Sequence, residues 1–234
     1  MKKWPLRLGK FLFRFRTFTP LPLIALTFIF FRPLSPAPAW SMAGLAVALL
    51  GEGIRILSVG FAGSGTSGRE SFLKADSLNT SGLYSLVRNP LYWGNMLIFA
   101  GLLTVFANPF ALALFVVFLF LQYHFIVLAE ESFLREQHGA AYENYCRRIR
   151  RWLPRCDRLA APGRPFDLKK VLFKENDSCF NLLFGALLIM AWKEKYFSGR
   201  LRRPLAFATA ALVLILLYAG VKVLKKRGRP DPGV

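Results

Sequence analysis

The stretch Gly82-Leu83-Tyr84-Ser85-Leu86-Val87-Arg88-Asn89-Pro90-Leu91-Tyr92-Trp93-Gly94-Asn95 leads into an apolar run that turns at Asn108-Pro109 and returns to the acidic pair Glu130-Glu131. Pro90 stands at the favoured first-turn position of a helix. Runs 91–107 and 109–129 are then the two arms of a membrane hairpin, each compared with the roughly 20 residues that span a bilayer. At about 1.5 Å of rise per residue, two arms of similar length bring their ends back to one level. Arg88 therefore meets two carboxylates at one membrane face. Charge in that position is costly in lipid unless it serves a ligand or a partner, so the hairpin ends are the first candidate for a site.

The rest of the chain has the same character. Its 234 residues are 54% hydrophobic and include 23 Phe, and the mean hydropathy is +0.37, which marks an integral membrane protein. Further apolar runs at 18–31, 39–59, 180–192 and 205–224 give an all-α, polytopic reading with five or six membrane helices. The formal charge of +19 does not point to nucleic acid. Lys and Arg are clustered between apolar runs rather than interleaved with exposed aromatics, the distribution of topology signals and headgroup contacts. Cys146, Cys156, Cys179, His124 and His138 have neither zinc-site nor disulfide-framework spacing.

Orientation follows from the basic clusters. Lys2, Lys3, Arg7, Lys10, Arg14 and Arg16 precede the first run and Asn108-Pro109 is uncharged, so the N-terminus and segments 60–90 and 130–179 are expected in the cytoplasm. Basic residues from Lys193 to Arg203 and from Lys225 to Arg227 break the rule, leaving the last two runs either spanning or re-entrant. The basic start, the apolar stretch to Phe31 and Ala37-Pro38-Ala39 imitate a signal peptide, but the long basic region and Arg32-Pro33 favour a retained first helix. The sequons at Asn79 and Asn176 fall on the side expected to be cytoplasmic. Three regions result: a basic segment and first helix (1–40), a core (41–165) and a C-terminal hairpin (166–234).

Weaker signals surround the hairpin. Gly63-Ser64-Gly65-Thr66-Ser67-Gly68 lacks the lysine of a phosphate loop and the strand of a dinucleotide fingerprint, and reads as a linker or a lid. Glu52 and Arg55, three apart within one apolar run, can pair with each other or line a cavity. Glu131 can pair with Arg135 one turn on. Around Tyr142 and Tyr145 the chain reads as an amphipathic surface helix or as the wall of a pocket.

In this order the pieces resemble the isoprenylcysteine carboxyl methyltransferases and their phospholipid methyltransferase relatives. The resemblance rests on Gly82 to Tyr84, Arg88-Asn89-Pro90-Leu91-Tyr92-Trp93-Gly94, Glu130-Glu131, Tyr142 to Tyr145 and Pro154, with Glu52 and Arg55 in the helix before. It covers about residues 50 to 155. It implies an integral membrane enzyme that binds S-adenosylmethionine at the cytoplasmic face through Arg88, Asn89, Tyr92, Glu130, Glu131 and Tyr142. It also implies methylation of a carboxylate or other polar head of a lipid or lipidated substrate, with Arg55 and Glu52 on the acceptor side. The family's histidine is Asn89 here, an amide that donates a hydrogen bond but does not titrate. Phospholipid N-methylation and a non-catalytic membrane scaffold are the alternatives.

Overall fold

The computed structural model describes residues 3–63, 77–155, 157 and 159–227. Residues 64–68 of the glycine-rich segment lie outside them. The described residues fold into seven α-helices: α1 (Lys3–Phe15), α2 (Pro20–Phe30), α3 (Pro38–Gly60), α4 (Pro90–Phe106), α5 (Pro109–Arg148), α6 (Leu168–Ser198) and α7 (Pro204–Arg227). Five of them, α2, α3, α4, α5 and α7, begin on a proline, whose fixed φ suits the first turn and whose missing N–H has no partner to lose there.

The Asn108-Pro109 turn forms as the sequence indicates. Ala107 takes the left-handed conformation at φ 60°, and the Asn108 side chain caps α5 by accepting from Ala111 N at 3.0 Å. The Asn108 amide also donates to Arg32 O at 2.7 Å, tying the hairpin tip to the end of α2. Both polar ends of a buried side chain are thus satisfied, as the interior demands.

Helices α3 and α4 pack backbone to backbone, and small residues allow it. A Cβ added at Gly101 would lie 2.5 Å from both Gly44 O and Ala48 N, and one at Gly51 would lie 2.6 Å from Gly94 O. Gly44, Ala48 and Gly51 on α3 face Gly94 and Gly101 on α4, the small-residue spacing that membrane helices use to bring backbones together. On the other side of the hairpin, α1 lies along α5 with Gly9 pressed against the Phe125 carbonyl and Phe13 in a cluster with Tyr123, Ile126 and Val127. The basic N-terminal segment is therefore a packed helix, set at 74° to α2.

Helix α5 is 40 residues long and outruns the hairpin. It bends at Gly139, whose φ of 46° and ψ of −124° only glycine adopts without strain. Its last turns carry Tyr142 and Tyr145 back toward the hairpin ends. Helix α6 packs on α3, α4 and α7. Its buried Lys193 donates to Val105 O at 3.1 Å and to Ser41 Oγ at 3.2 Å. Among the described residues, α3, α5 and α7 are long and apolar enough to cross a membrane, and the bent α1–α2 pair makes a fourth candidate. The 17-residue α4 and the charge-bearing α6 are the helices that would bring the number to the expected five or six.

Candidate functional site

The hairpin ends meet as expected, but the two glutamates divide the work. Glu131 is 2% exposed and saturated with arginine. It receives Arg88 Nη1 at 2.8 Å, Arg151 Nε at 2.9 Å and Arg151 Nη2 at 2.7 Å, with the expected Arg135 at 3.5 Å. The bidentate fork from Arg151 is the stronger kind of carboxylate contact. Hydrogen bonds to Glu131 raise the pKa of Arg151. Glu130 instead accepts from Tyr92 Oη at 2.8 Å, with Arg16 in electrostatic reach.

Arg151 belongs to a segment that runs back along the approach to α4. Arg88 N donates to Arg150 O at 3.0 Å, Arg155 N to Leu86 O at 2.9 Å and Gly82 N to Ala160 O at 3.2 Å. Trp93 Nε1 donates to Trp152 O at 2.7 Å. Asn89 Nδ2 donates to Arg151 O at 3.2 Å, so the amide in the histidine position pins this segment. Residues 150–155 and Ala160 thereby roof the hairpin ends. The tyrosines of bent α5 lie beneath the roof: Tyr142 is 2% and Tyr145 8% exposed, and Tyr145 Oη donates to Tyr84 O at 2.7 Å. This favours the pocket-wall reading of these tyrosines over a helix lying free on the surface.

One cavity of about 920 Å³ opens below the roof and continues between the helices. Arg88, Asn89, Tyr92, Glu130, Glu131 and Tyr142 all line its polar end, and Arg55 lines it further in. Glu52 does not stand on its wall. The expected pairing within α3 is replaced by contacts to α6: Arg55 donates to Glu175 Oε2 at 2.9 Å from Nε and 2.6 Å from Nη2, and to Asn95 Oδ1. Glu52 accepts from Ser178 Oγ at 2.6 Å and Cys179 Sγ at 3.0 Å. Neighbours three apart on one helix face, the two side chains each take their partners from the same face of α6 instead of from one another. Beyond Arg55 the walls turn apolar, with Ile24, Leu102, Phe106, Leu182 and Ile189. Phe18, Leu21 and Leu188 belong to the same walls and are 63%, 54% and 53% exposed on the outer surface, where lipid would lie.

Three buried polar atoms of cavity-lining residues lack a hydrogen-bond partner among the described residues: Tyr84 Oη, Arg88 Nε and Glu175 Oε1. Such atoms are rare and costly in a finished interior and are expected where a ligand completes the site. Burial pushes the Tyr84 phenol well above its usual range, so it is a neutral donor. Sequence reasoning missed Tyr84 as a lining residue, Arg151 as the fork on Glu131, and Glu175 altogether. Arg151 was hidden in a basic cluster, and Glu175 in a helix with no local motif. Among the described residues, no group of three or more His, Cys, Asp or Glu is placed to hold a metal ion.

The fold and site together define a helical membrane protein whose charged helix ends enclose the polar mouth of an apolar cavity. Residues 40–141 match the family model for phospholipid methyltransferase. Two rice proteins, from Oryza sativa subsp. indica and subsp. japonica, are each named probable protein-S-isoprenylcysteine O-methyltransferase. Both are 32% identical to the chain over 116 residues, 49% of this chain and 61% of their own length. The chain thus spans less than two thirds of these relatives. No solved structure matches. The segment that matches the phospholipid methyltransferase family model includes Arg88-Asn89-Pro90 and the glutamate pair, the residues on which the resemblance in the sequence rests.

Proposed function

We propose that the protein is a membrane methyltransferase that binds S-adenosylmethionine at the polar end of the cavity and a lipid or lipidated substrate at the apolar end. The continuity of one cavity from the roofed hairpin ends to walls open toward lipid carries this reading. Its 920 Å³ lies near the top of the range for small-molecule sites, about 300–1,000 Å³, which leaves room for two ligands.

The residues present fit the cofactor. Arg88 Nε and Tyr84 Oη are buried donors awaiting acceptors, suited to a carboxylate. Glu130 offers an acceptor for an ammonium or ribose hydroxyls, and the Tyr92 and Tyr142 rings offer faces for a purine or a cation. When bound, S-adenosylmethionine supplies an activated methyl group on a sulfonium. The protein's task is then to align donor and acceptor and to keep water out. Asn89 serves that task by holding the roof rather than by moving a proton. The basic clusters support a cytoplasmic N-terminus and polar end.

Calorimetric titration of the detergent-purified protein with S-adenosylmethionine tests the proposal. Saturable binding is expected, weakened at least tenfold in Arg88→Ala, as loss of charged hydrogen bonding of about 1.5–3 kcal/mol implies. No binding to a folded wild type would refute it. Orientation has its own test. A cysteine introduced as Glu143→Cys, on the exposed side of bent α5, is expected to react with an impermeant maleimide only when the cytoplasmic face is accessible. Labelling from outside intact cells would invert the topology.

A further inference from the structure

We infer that Glu175, on α6, selects the methyl acceptor, and that it selects a lipid head group carrying N–H protons over one carrying a carboxylate. The inference rests on the methyltransferase reading above and narrows its substrate class. Glu175 lies outside the segment 40–141 that the family model matches.

Glu175 is 1% exposed and lines the cavity inward of the hairpin ends. Its Oε2 receives both Arg55 Nε at 2.9 Å and Arg55 Nη2 at 2.6 Å, while Oε1 is buried with no partner among the described residues. The remaining Arg55 nitrogen bonds Asn95 Oδ1. Arg55 is therefore already committed on both sides. A substrate carboxylate arriving here would meet a neutralised guanidinium and a bare carboxylate oxygen, with Glu52 close behind through Ser178 and Cys179. On the wall Glu175 alone balances Arg55, and Glu52 behind it adds a second carboxylate to the one guanidinium, so this stretch carries more negative than positive charge. The only other carboxylate of α6 on that wall, Asp177, is paired with Lys222 at 2.8 Å and accepts from Tyr218 Oη at 2.8 Å.

An ammonium supplies both things the site lacks, a donor for Oε1 and a positive charge, and passing that proton to Oε1 frees the nitrogen lone pair that takes the methyl group. Sites built to take a hydrogen bond from a ligand N–H reject analogues without one, because the buried acceptor is then left unpaired. Ser178 and Asn181 line the same stretch and add neutral polar groups, and the apolar walls beyond receive the acyl chains.

The test is titration of the full-length protein in detergent, without S-adenosylmethionine, using three probes: a short-chain phosphatidylethanolamine, the phosphatidylcholine of equal chain length, and N-acetyl-S-farnesylcysteine. Phosphatidylcholine keeps the positive charge but has no N–H. The ethanolamine lipid is expected to bind about tenfold tighter than either of the others, the worth of one charge-assisted hydrogen bond. Glu175→Gln is expected to erase that preference. Equal or tighter binding of the carboxylate by the wild type, or an unchanged preference in Glu175→Gln, would overturn the inference. Should the single variant lose its fold, Arg55→Gln/Glu175→Gln removes both charges together and is read by the same criterion. Because S-adenosylmethionine is absent, failure of cofactor binding leaves this result standing, and amine selection can fail while cofactor binding holds.

Discussion

Glu131→Ala is expected to abolish S-adenosylmethionine binding, lowering affinity at least a hundredfold, while leaving most of the helix content in place. The carboxylate is 2% exposed and is the common partner of Arg88, Arg151 and Arg135. Removing one member of a buried ion pair costs about 3–5 kcal/mol, because the other charge stays behind without compensation. Here three guanidiniums are left facing one another, with side-chain exposures of 14%, 28% and 43%. Arg88 and Arg151, the more buried two, have the least water to turn to. The effect then spreads along the chain, since Arg151 sits in the roof and the roof is stitched to Arg88, Asn89 and Trp93. Losing the fork on Arg151 unpins the roof from the hairpin ends. Helices α3, α4 and α6 make no such use of Glu131, so circular dichroism should change little. Calorimetry is the direct check: an affinity within about threefold of wild type would show that Glu131 neither organises the arginines for the ligand nor contacts it.

The hairpin was legible in the sequence because its signals are local. Pro90, Pro109, Asn108 and the acidic pair each act within one turn of their own position, and the return of the chain follows from equal arm lengths. The Gly139 bend is equally local, but Gly139 stands among Ala140 and Ala141 with nothing in the pattern to separate a positive φ from an ordinary helical glycine. What could not be read were partners distant in sequence. Arg55 reaches Glu175 120 residues away, and Arg151 reaches Glu131 across the whole bent end of α5. Within α3 the nearest opposite charge to Arg55 is Glu52, so a local rule pairs them. Packing α6 against α3 and α4 offers each a partner better placed than the other. The C-terminal region, apparently mute as sequence, completes the wall of the cavity for the same reason.

Gly51→Ala and Gly53→Ala, two positions apart on α3, are expected to behave oppositely. Alanine is favoured over glycine in a helix interior by roughly 0.8–1 kcal/mol, and a Cβ at Gly53 would have nothing within 4 Å. Gly53→Ala should therefore leave the thermal midpoint of the detergent-solubilised protein unchanged or raise it. At Gly51 the same methyl group would sit 2.6 Å from Gly94 O and 2.8 Å from Ile98 N, distances that no side-chain rotation relieves because the obstacles are backbone. Helix α4 must move away. Overpacking of this kind costs about 1–3 kcal/mol, and in lipid the loss weighs more heavily because close backbone packing is much of what holds such helices together. The displacement also reaches the site. Gly94 lies against the Arg55 side chain, and Asn95, the next residue, binds its guanidinium. Separating α3 from α4 thus pulls Arg55 away from Asn95, and with it the arrangement that leaves Glu175 Oε1 open. Gly51→Ala should lower the midpoint and weaken binding of the ethanolamine lipid together. Equal midpoints for the two alanine variants would mean that the glycine seam does not hold α3 to α4.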